Sequence, residues 1–341
     1  MKKLSATVAV ILITAAAVFY YNYSKPVHIL AVGDILLDRG VGAYLEKNGF
    51  DYPYTGCGDS ILKADIAFAN LECPLTEGGK PALKRPELIF RGNTRNGPAL
   101  KDAGFDILNL ANNHTMDQGR EGLLDTVELL ESSGIRTLGA GKSRSEARKP
   151  VFIEKGWTKL GFLGYSDFPP EGYMYDEDKA DVARPDMKTL KEEIRTAAEQ
   201  CDFLVVSFHW GKEFDSYPGD RQREMAHAAI DSGAGLVIGH HPHMLQGAEE
   251  YKGKLIFYSL GNFVFDRQLH KGTDESVMLD IAVTDGECRE ARIIPVRIEA
   301  CRPVIVQGEE AEAILDRYAD LSEGYGVDID IAEGIGYIRI K

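Results

Sequence analysis

Positive charge is in short supply in this 341-residue chain: 39 Lys and Arg stand against 53 Asp and Glu, a formal net charge of −14. Nucleic-acid surfaces work by replacing counterions with Lys and Arg, so a nucleic-acid partner is disfavoured. A short basic loop, Lys80, Lys84 and Arg85, is the local exception and could meet an anionic polymer, although three such charges on a loop ordinarily sit in solvent. Cysteine is also sparse. The five present fall in no CxxC pair and no zinc-ribbon spacing, which excludes a thiolate metal cluster. In an oxidising compartment Cys57 with Cys73, or Cys288 with Cys301, can pair, and the odd total leaves at least one thiol free, with Cys201 expected as a buried, inert one. No Gly-x-Ser-x-Gly elbow is present, and no dinucleotide fingerprint follows the first apolar run. The stretch Gly139-Ala140-Gly141-Lys142-Ser143 ends like a phosphate loop, but the required glycine five places before Gly141 is Arg136. Serine hydrolase, Rossmann oxidoreductase and P-loop readings therefore lose their support. Internal repeats and low-complexity segments are absent too.

What the chain does contain is enough apolar material, 44% of residues, for a substantial core. At the N-terminus Lys2 and Lys3 precede an uncharged stretch from Leu4 to Ser24, about the 20 apolar residues a spanning helix needs. Tyr20, Tyr21 and Tyr23 suit an interfacial belt. Positive charge stays on the cytoplasmic side, so everything after Lys25 is expected outside the cytoplasm. A cleaved signal peptide, with Ala15, Ala16 and Ala17 near the cleavage point, is the competing reading, and it leads to the same compartment. The expected organisation is a membrane anchor or signal over residues 1–26, one main domain over 27–306, and a C-terminal helix and strand over 307–341 packing on it.

Short apolar runs read as core strands at Val27–Val32, Asp65–Asn70, Phe105–Leu110, Lys159–Gly164, Phe203–Phe208, Gly235–Ile238 and Leu255–Ser259. Amphipathic helices are expected at Arg120–Ser132, Met187–Glu199 and Arg221–Asp231. This alternation predicts a layered α/β domain. From Glu275 to Val306 the pattern changes to alternating strands without helices, an antiparallel flank, and a helix at Glu309–Leu321 and a strand at Tyr337–Ile340 close the chain.

Polar, metal-competent residues recur where the strands stop: Gly33-Asp34, Asn70-Leu71-Glu72, Asn112-Asn113-His114, His209-Trp210-Gly211 and Gly239-His240-His241-Pro242-His243. Loops at the carboxyl ends of strands in open α/β sheets converge on one crevice, so these groups are expected to meet. Singly, a histidine after a strand is an ordinary structural residue. Jointly, Asp34, Glu72, Asn113, His209, His241 and His243 form a mixed oxygen and nitrogen set that suits Zn, Mn or Fe. In His241-Pro242-His243 an extended backbone would turn both rings to one side. His28 lies at the opposite strand end, His227 on a helix, and His270 in a loop, and none is assigned a role.

These motifs, with Asp117 and Gly119, Gly139-Ala140-Gly141 and Ser259-Leu260-Gly261-Asn262-Phe263, resemble the CapA family of capsule and poly-γ-glutamate synthesis proteins, whose domain is related to the calcineurin-like metallophosphoesterases. The resemblance covers roughly Val27 to Val306. It implies a metallophosphoesterase-like αββα sandwich, a divalent metal site of one or two ions, and a role at the cell membrane with an anionic capsular polymer or its precursor, within a capsule synthesis or export complex. By similarity Asp34 would bind the first metal and Glu72 would take the place of the bridging carboxylate. Asn113 would bind the second metal, His209 and His241 would complete its shell, and His243 would return to the first. His114 would be the catalytic acid with Asp117 beside it, and the metal would activate a water. Two departures from the metallophosphoesterase pattern stand out: its Asp-x-His opening is Asp34-Ile35-Leu36 here, and a glutamate replaces the usual bridging aspartate. The implied activity is that of a metal-dependent hydrolase or transferase, and the alternative is a non-catalytic accessory protein that guides the polymer.

Overall fold

A computed structural model describes residues 25–169 and 178–340. Two β-sheets lie face to face. In the larger, strands Val27–Ile35, Ile66–Leu71, Ile107–Asn109 and Arg136–Leu138 run parallel, and Glu275–Thr284 and Glu287–Glu299 extend the other side in antiparallel fashion. In the smaller, Thr158–Ser166, Phe203–His209, Leu236–His240 and Lys254–Leu260 are parallel, flanked by the antiparallel strands Val151–Lys155 and Leu245–Tyr251. The central strands are buried on both faces, which is why they read as unbroken apolar runs such as Phe-Leu-Val-Val-Ser-Phe.

Three packed layers of side chains account for the architecture. Between the sheets, Ile29, Phe68 and Ile107 from one side meet Phe162, Val205, Ile238 and Phe257 from the other. Outside the large sheet, helices Arg39–Asn48, Asn96–Asp102 and Gly119–Ser132 cover a second cluster, with Val41, Leu45, Leu100, Leu123 and Leu130 among its members. Outside the small sheet, Met187–Ala198 and Asp220–Asp231 cover a third through Leu190, Ile194, Met225 and Ala229. Leu190, Ile194 and Ala197 recur at helical spacing on the buried face, and Asp186 caps that helix by accepting from the Lys188 amide. The result is a helix, sheet, sheet, helix arrangement. The C-terminal helix Glu309–Leu321 adds Ile314, Leu315 and Tyr318 to the inter-sheet core, and the strand Ile335–Arg339 extends the large sheet beside Glu287–Glu299.

The expected spanning segment Leu4–Ser24, with Tyr20, Tyr21 and Tyr23, lies outside the described residues. Among those described, no helix is long and apolar enough to cross a membrane. All five cysteines are free, and Cys201 departs from expectation in being half-exposed while the other four are buried. Its place just after the helix Met187–Ala198, rather than inside a strand, explains that. The basic loop also differs: Lys84 is almost wholly buried against Asp117, so it is no solvated charge.

Candidate metal site

Both sheets point their carboxyl ends to the same edge of the sandwich, and the six residues read as ligands meet there. Register does the first part of the placement, since Asp34 is paired with Asn70 on one side and Asn262 on the other, and His240 stands beside His209. The neighbouring strands approach closely because glycines allow it. A Cβ on Gly33 would fall 2.1 Å from the Gly261 carbonyl oxygen, and one on Gly239 would fall 2.0 Å from that of Tyr258.

Glu72 occupies the centre. Its Oε1 lies 3.7 Å from His209 Nε2, 3.7 Å from His243 Nε2 and 3.9 Å from His114 Nε2. Glu72, His241 and His243 each offer a donor atom within 4.8 Å of the others. His209 Nε2 lies 3.1 Å from His241 Nδ1 and 2.9 Å from the Asn113 side-chain oxygen, and His243 Nδ1 is 3.6 Å from Asp34 Oδ2. Asp34 is fixed by the Asn70 amide at 2.8 Å and the His241 backbone N–H at 3.1 Å. His114 and Asp117 stand together, His114 Nδ1 at 2.9 Å from Asp117 Oδ2, which leaves Nε2 facing Glu72. Asp117 also meets Lys84 Nζ at 2.6 Å and accepts from the Phe90 N–H at 2.8 Å.

Burial sets the electrostatics. It raises Glu72 well above the usual carboxylate range, with the negative charges of Asp34 and Glu213 adding to the effect. Burial works in the same direction on Asp34, but the adjacent His240, with His243 and the Asn70 amide, outweighs it and holds Asp34 low. Burial also drives His209 well down, helped by the neighbouring imidazoles, and pushes His241 down to about 3. His114 is lowered by burial despite its bond to Asp117. His114, His209 and His241 are thus kept neutral, the form in which nitrogen binds a metal. Both Glu72 oxygens are buried and find no hydrogen-bond partner among the described residues. A buried carboxylate without donors is unfavourable unless a cation sits beside it, so the donor set fits a divalent metal.

His241 and His243 do face one pocket, but not because the backbone is extended. Both have left-handed φ values, 97° and 57°, so the turn itself aims the rings, and strain of this kind in non-glycine residues concentrates at functional sites. Sequence reading assigned no role to Asn70 or Asn262, although the first donates to Asp34 and the second accepts from His243 Nδ1–H through its side-chain oxygen at 2.9 Å. Asparagine recurring at the ends of adjacent strands was the available signal. The rings of Phe90 and Phe168, which pack on His114 and His241 at 4.2 Å each, carried no signal at all, and Lys84 was legible only as a loop charge. The unassigned histidines lie elsewhere or at the rim: His28 pairs with Asp280, His227 with Glu249, and His270 stacks on Phe214.

Comparison with known proteins gives the family. The family model described as bacterial capsule synthesis protein PGA_cap matches residues 28–267. The PGA biosynthesis protein CapA of Bacillus subtilis is 33% identical over 81% of this chain and 73% of its own length. The capsule biosynthesis protein CapA of Bacillus anthracis is 31% identical over 85% of this chain and 72% of its own. Among solved structures, a phosphatase from Mycoplasma pneumoniae shares the fold at a TM-score of 0.51 and 16% identity, covering 80% of this chain and 94% of that one. Sequence, fold and comparison converge: this chain belongs to the PGA_cap family of bacterial capsule synthesis proteins, the CapA family.

Proposed function

We propose that this protein is a membrane-anchored, extracytoplasmic hydrolase or transferase that depends on a divalent metal and acts on an anionic capsular polymer, poly-γ-glutamate or a related chain, or on its precursor. The observation that carries this reading is the Glu72 carboxylate, buried and unsatisfied in a ring of neutral imidazoles. Asp34, Glu72, Asn113, His209, His241 and His243 would hold one or two ions of Mn, Zn or Fe. When bound, the metal supplies Lewis-acid activation of a water and of the susceptible bond. The protein's own part is orientation and proton delivery. Asp117 fixes the His114 ring through Nδ1, so that Nε2, without a proton while the ring is neutral, faces the pocket, where it can take a proton from the attacking water and pass it to the leaving group. The N-terminal segment, residues 1–26, would tether this domain to the outer face of the membrane.

Metal analysis of the purified chain after exposure to Mn or Zn tests the reading, together with the length of a γ-linked glutamate polymer before and after incubation. Bound metal and polymer shortening are expected, and both are expected to be lost in His209→Ala. A chain that takes up no ion at any loading would overturn it. A second reading, a non-catalytic holder of the polymer, draws support from Leu36: where the phosphoesterase pattern has an imidazole, this side chain is wholly buried in the apolar layer under the helices. Polymer retained without change of length, by a chain that does hold metal, would favour it.

A further inference from the structure

We propose that Arg39 is the receptor for an oxyanion of the substrate, a carboxylate of the polymer or a phosphate of its precursor, held at the mouth of the metal pocket. The inference rests on the reading above and names how that site grips its ligand.

Arg39 is the first residue of the helix Arg39–Asn48, where its φ is 52°. A left-handed conformation costs an ordinary residue about 1 kcal/mol, and glycine or asparagine would adopt it more easily. An arginine there is explained by what its side chain reaches. The guanidinium carbon lies 4.7 Å from the centre of the Phe90 ring and 5.5 Å from that of Phe265. Phe90 in turn stacks on His114 at 4.2 Å, and Phe265 packs against His243 at 4.9 Å. The cation is therefore sandwiched one ring away from the imidazole expected to deliver the proton and one ring away from a metal-facing histidine. Its charge also reaches Glu72, where it opposes the upward push of burial. Asp266 holds only one corner of the fork, with Oδ1 at 2.5 Å from Nη2, and its other oxygen is taken by the Gly40 N–H at 2.8 Å. The Nε of Arg39 is buried without a hydrogen-bond partner among the described residues.

A planar guanidinium with donor capacity left over, fixed between two rings, is prepared to accept an oxyanion with little further loss of freedom. Stacking on aromatic faces holds the charge without using its N–H groups. In a chain of net charge −14, a fixed cation beside the metal also offsets the repulsion a polyanion meets on approach. The competing explanation is that Arg39 merely braces Asp266 and the start of the helix. A lysine can keep the ion pair to Asp266 and the positive charge but offers no fork, and that difference separates the two accounts.

The test uses the full chain loaded with Mn and two probes, a short γ-linked glutamate oligomer and inorganic phosphate, with binding measured calorimetrically for wild type, Arg39→Gln and Arg39→Lys. Metal content and thermal midpoint are measured on the same samples. Both variants are expected to hold as much metal as wild type and to bind at least one probe about 10-fold more weakly or worse, with lysine recovering part of the glutamine loss. The probe that loses affinity identifies the source of the oxyanion. If Arg39→Gln fails to fold, Arg39→Lys carries the comparison. Affinity for both probes unchanged within about twofold in a folded variant would overturn the proposal and leave Arg39 as a brace. Wild type without metal would overturn the preceding reading instead, and the same comparison on metal-free chain still decides the role of Arg39.

Discussion

Glu72 is unfavourable where it stands unless a cation is present, and this leads to an unusual expectation. Glu72→Gln keeps the shape and removes the charge, so in metal-free protein it should stabilise, by about 1–3 kcal/mol, while affinity for metal falls at least about 10-fold. Thermal melts with and without metal check both halves, and a destabilised metal-free variant would count against the role given to this carboxylate. The histidines predict how stability follows pH. His114, His209 and His241 all sit below the ordinary imidazole value in the folded chain. Above about pH 6.5 they are neutral in both folded and unfolded states and have no effect. As pH falls below that, the unfolded chain takes up protons that the folded chain cannot, and stability is lost progressively, for His241 down to about pH 3. Glu72 works the other way, because its raised value lets the folded state hold a proton that the unfolded state releases above its ordinary value of 4.5. Three imidazoles outweigh one carboxyl, so the midpoint of metal-free protein should fall from pH 7 to pH 5, at up to about 1.4 kcal/mol per unit for each buried imidazole. In Glu72→Gln, which lacks the opposing group, the fall should be steeper.

At the scale of the element, the site depends on strands that approach more closely than side chains would permit. Gly239→Ala would drive its Cβ against the Tyr258 carbonyl, whose oxygen also accepts from the Trp210 indole N–H at 2.9 Å. The expected cost is about 1–3 kcal/mol, with metal affinity falling as the His240–His243 turn shifts, measurable by denaturant unfolding and metal titration. The strand ends carrying Asp34, Glu72, His209 and His241 were legible in the sequence because polar residues interrupt apolar runs at the same point of each strand. The mode of convergence was not. The turn at His241-Pro242-His243 uses left-handed backbone that nothing in those residue types announces, and Lys84 reads as a loop charge until the fold brings it to Asp117. Helix Arg39–Asn48, which begins with the residue proposed to bind the oxyanion, also escaped the periodicity, since only Val41 and Leu45 are buried along it.

Across the whole molecule, the two sheets share one apolar interior that includes part of the C-terminal helix. Removing residues 307–341 would uncover the part of that interior against which Ile314, Leu315 and Tyr318 pack. Such a truncation should lower the thermal midpoint sharply or leave the chain insoluble, and a truncated chain as stable as the full one would show that the helix is dispensable. Phe162→Ala, a wholly buried position between the sheets, should cost about 3–5 kcal/mol on denaturant unfolding, because the cavity opens where neither sheet can close it. The location proposed for the protein belongs to this scale too: full-length chain should fractionate with membranes and be open to protease from the outer side.

The sequence by itself determined the central buried strands, the longer amphipathic helices and which donor groups stand at strand ends, because periodicity and chain polarity are local; the short or flanking elements Arg136–Leu138, Val151–Lys155, Leu245–Tyr251 and Arg39–Asn48 carry too little pattern to be read. Tertiary structure alone decided that the Glu72 carboxylate finds no hydrogen-bond donor among the described residues, that Lys84 is buried against Asp117 and that Arg39 lies against both Phe90 and Phe265. Each of these depends on groups distant in the chain, and the energy of a charge is set by its surroundings in space rather than by its neighbours in sequence.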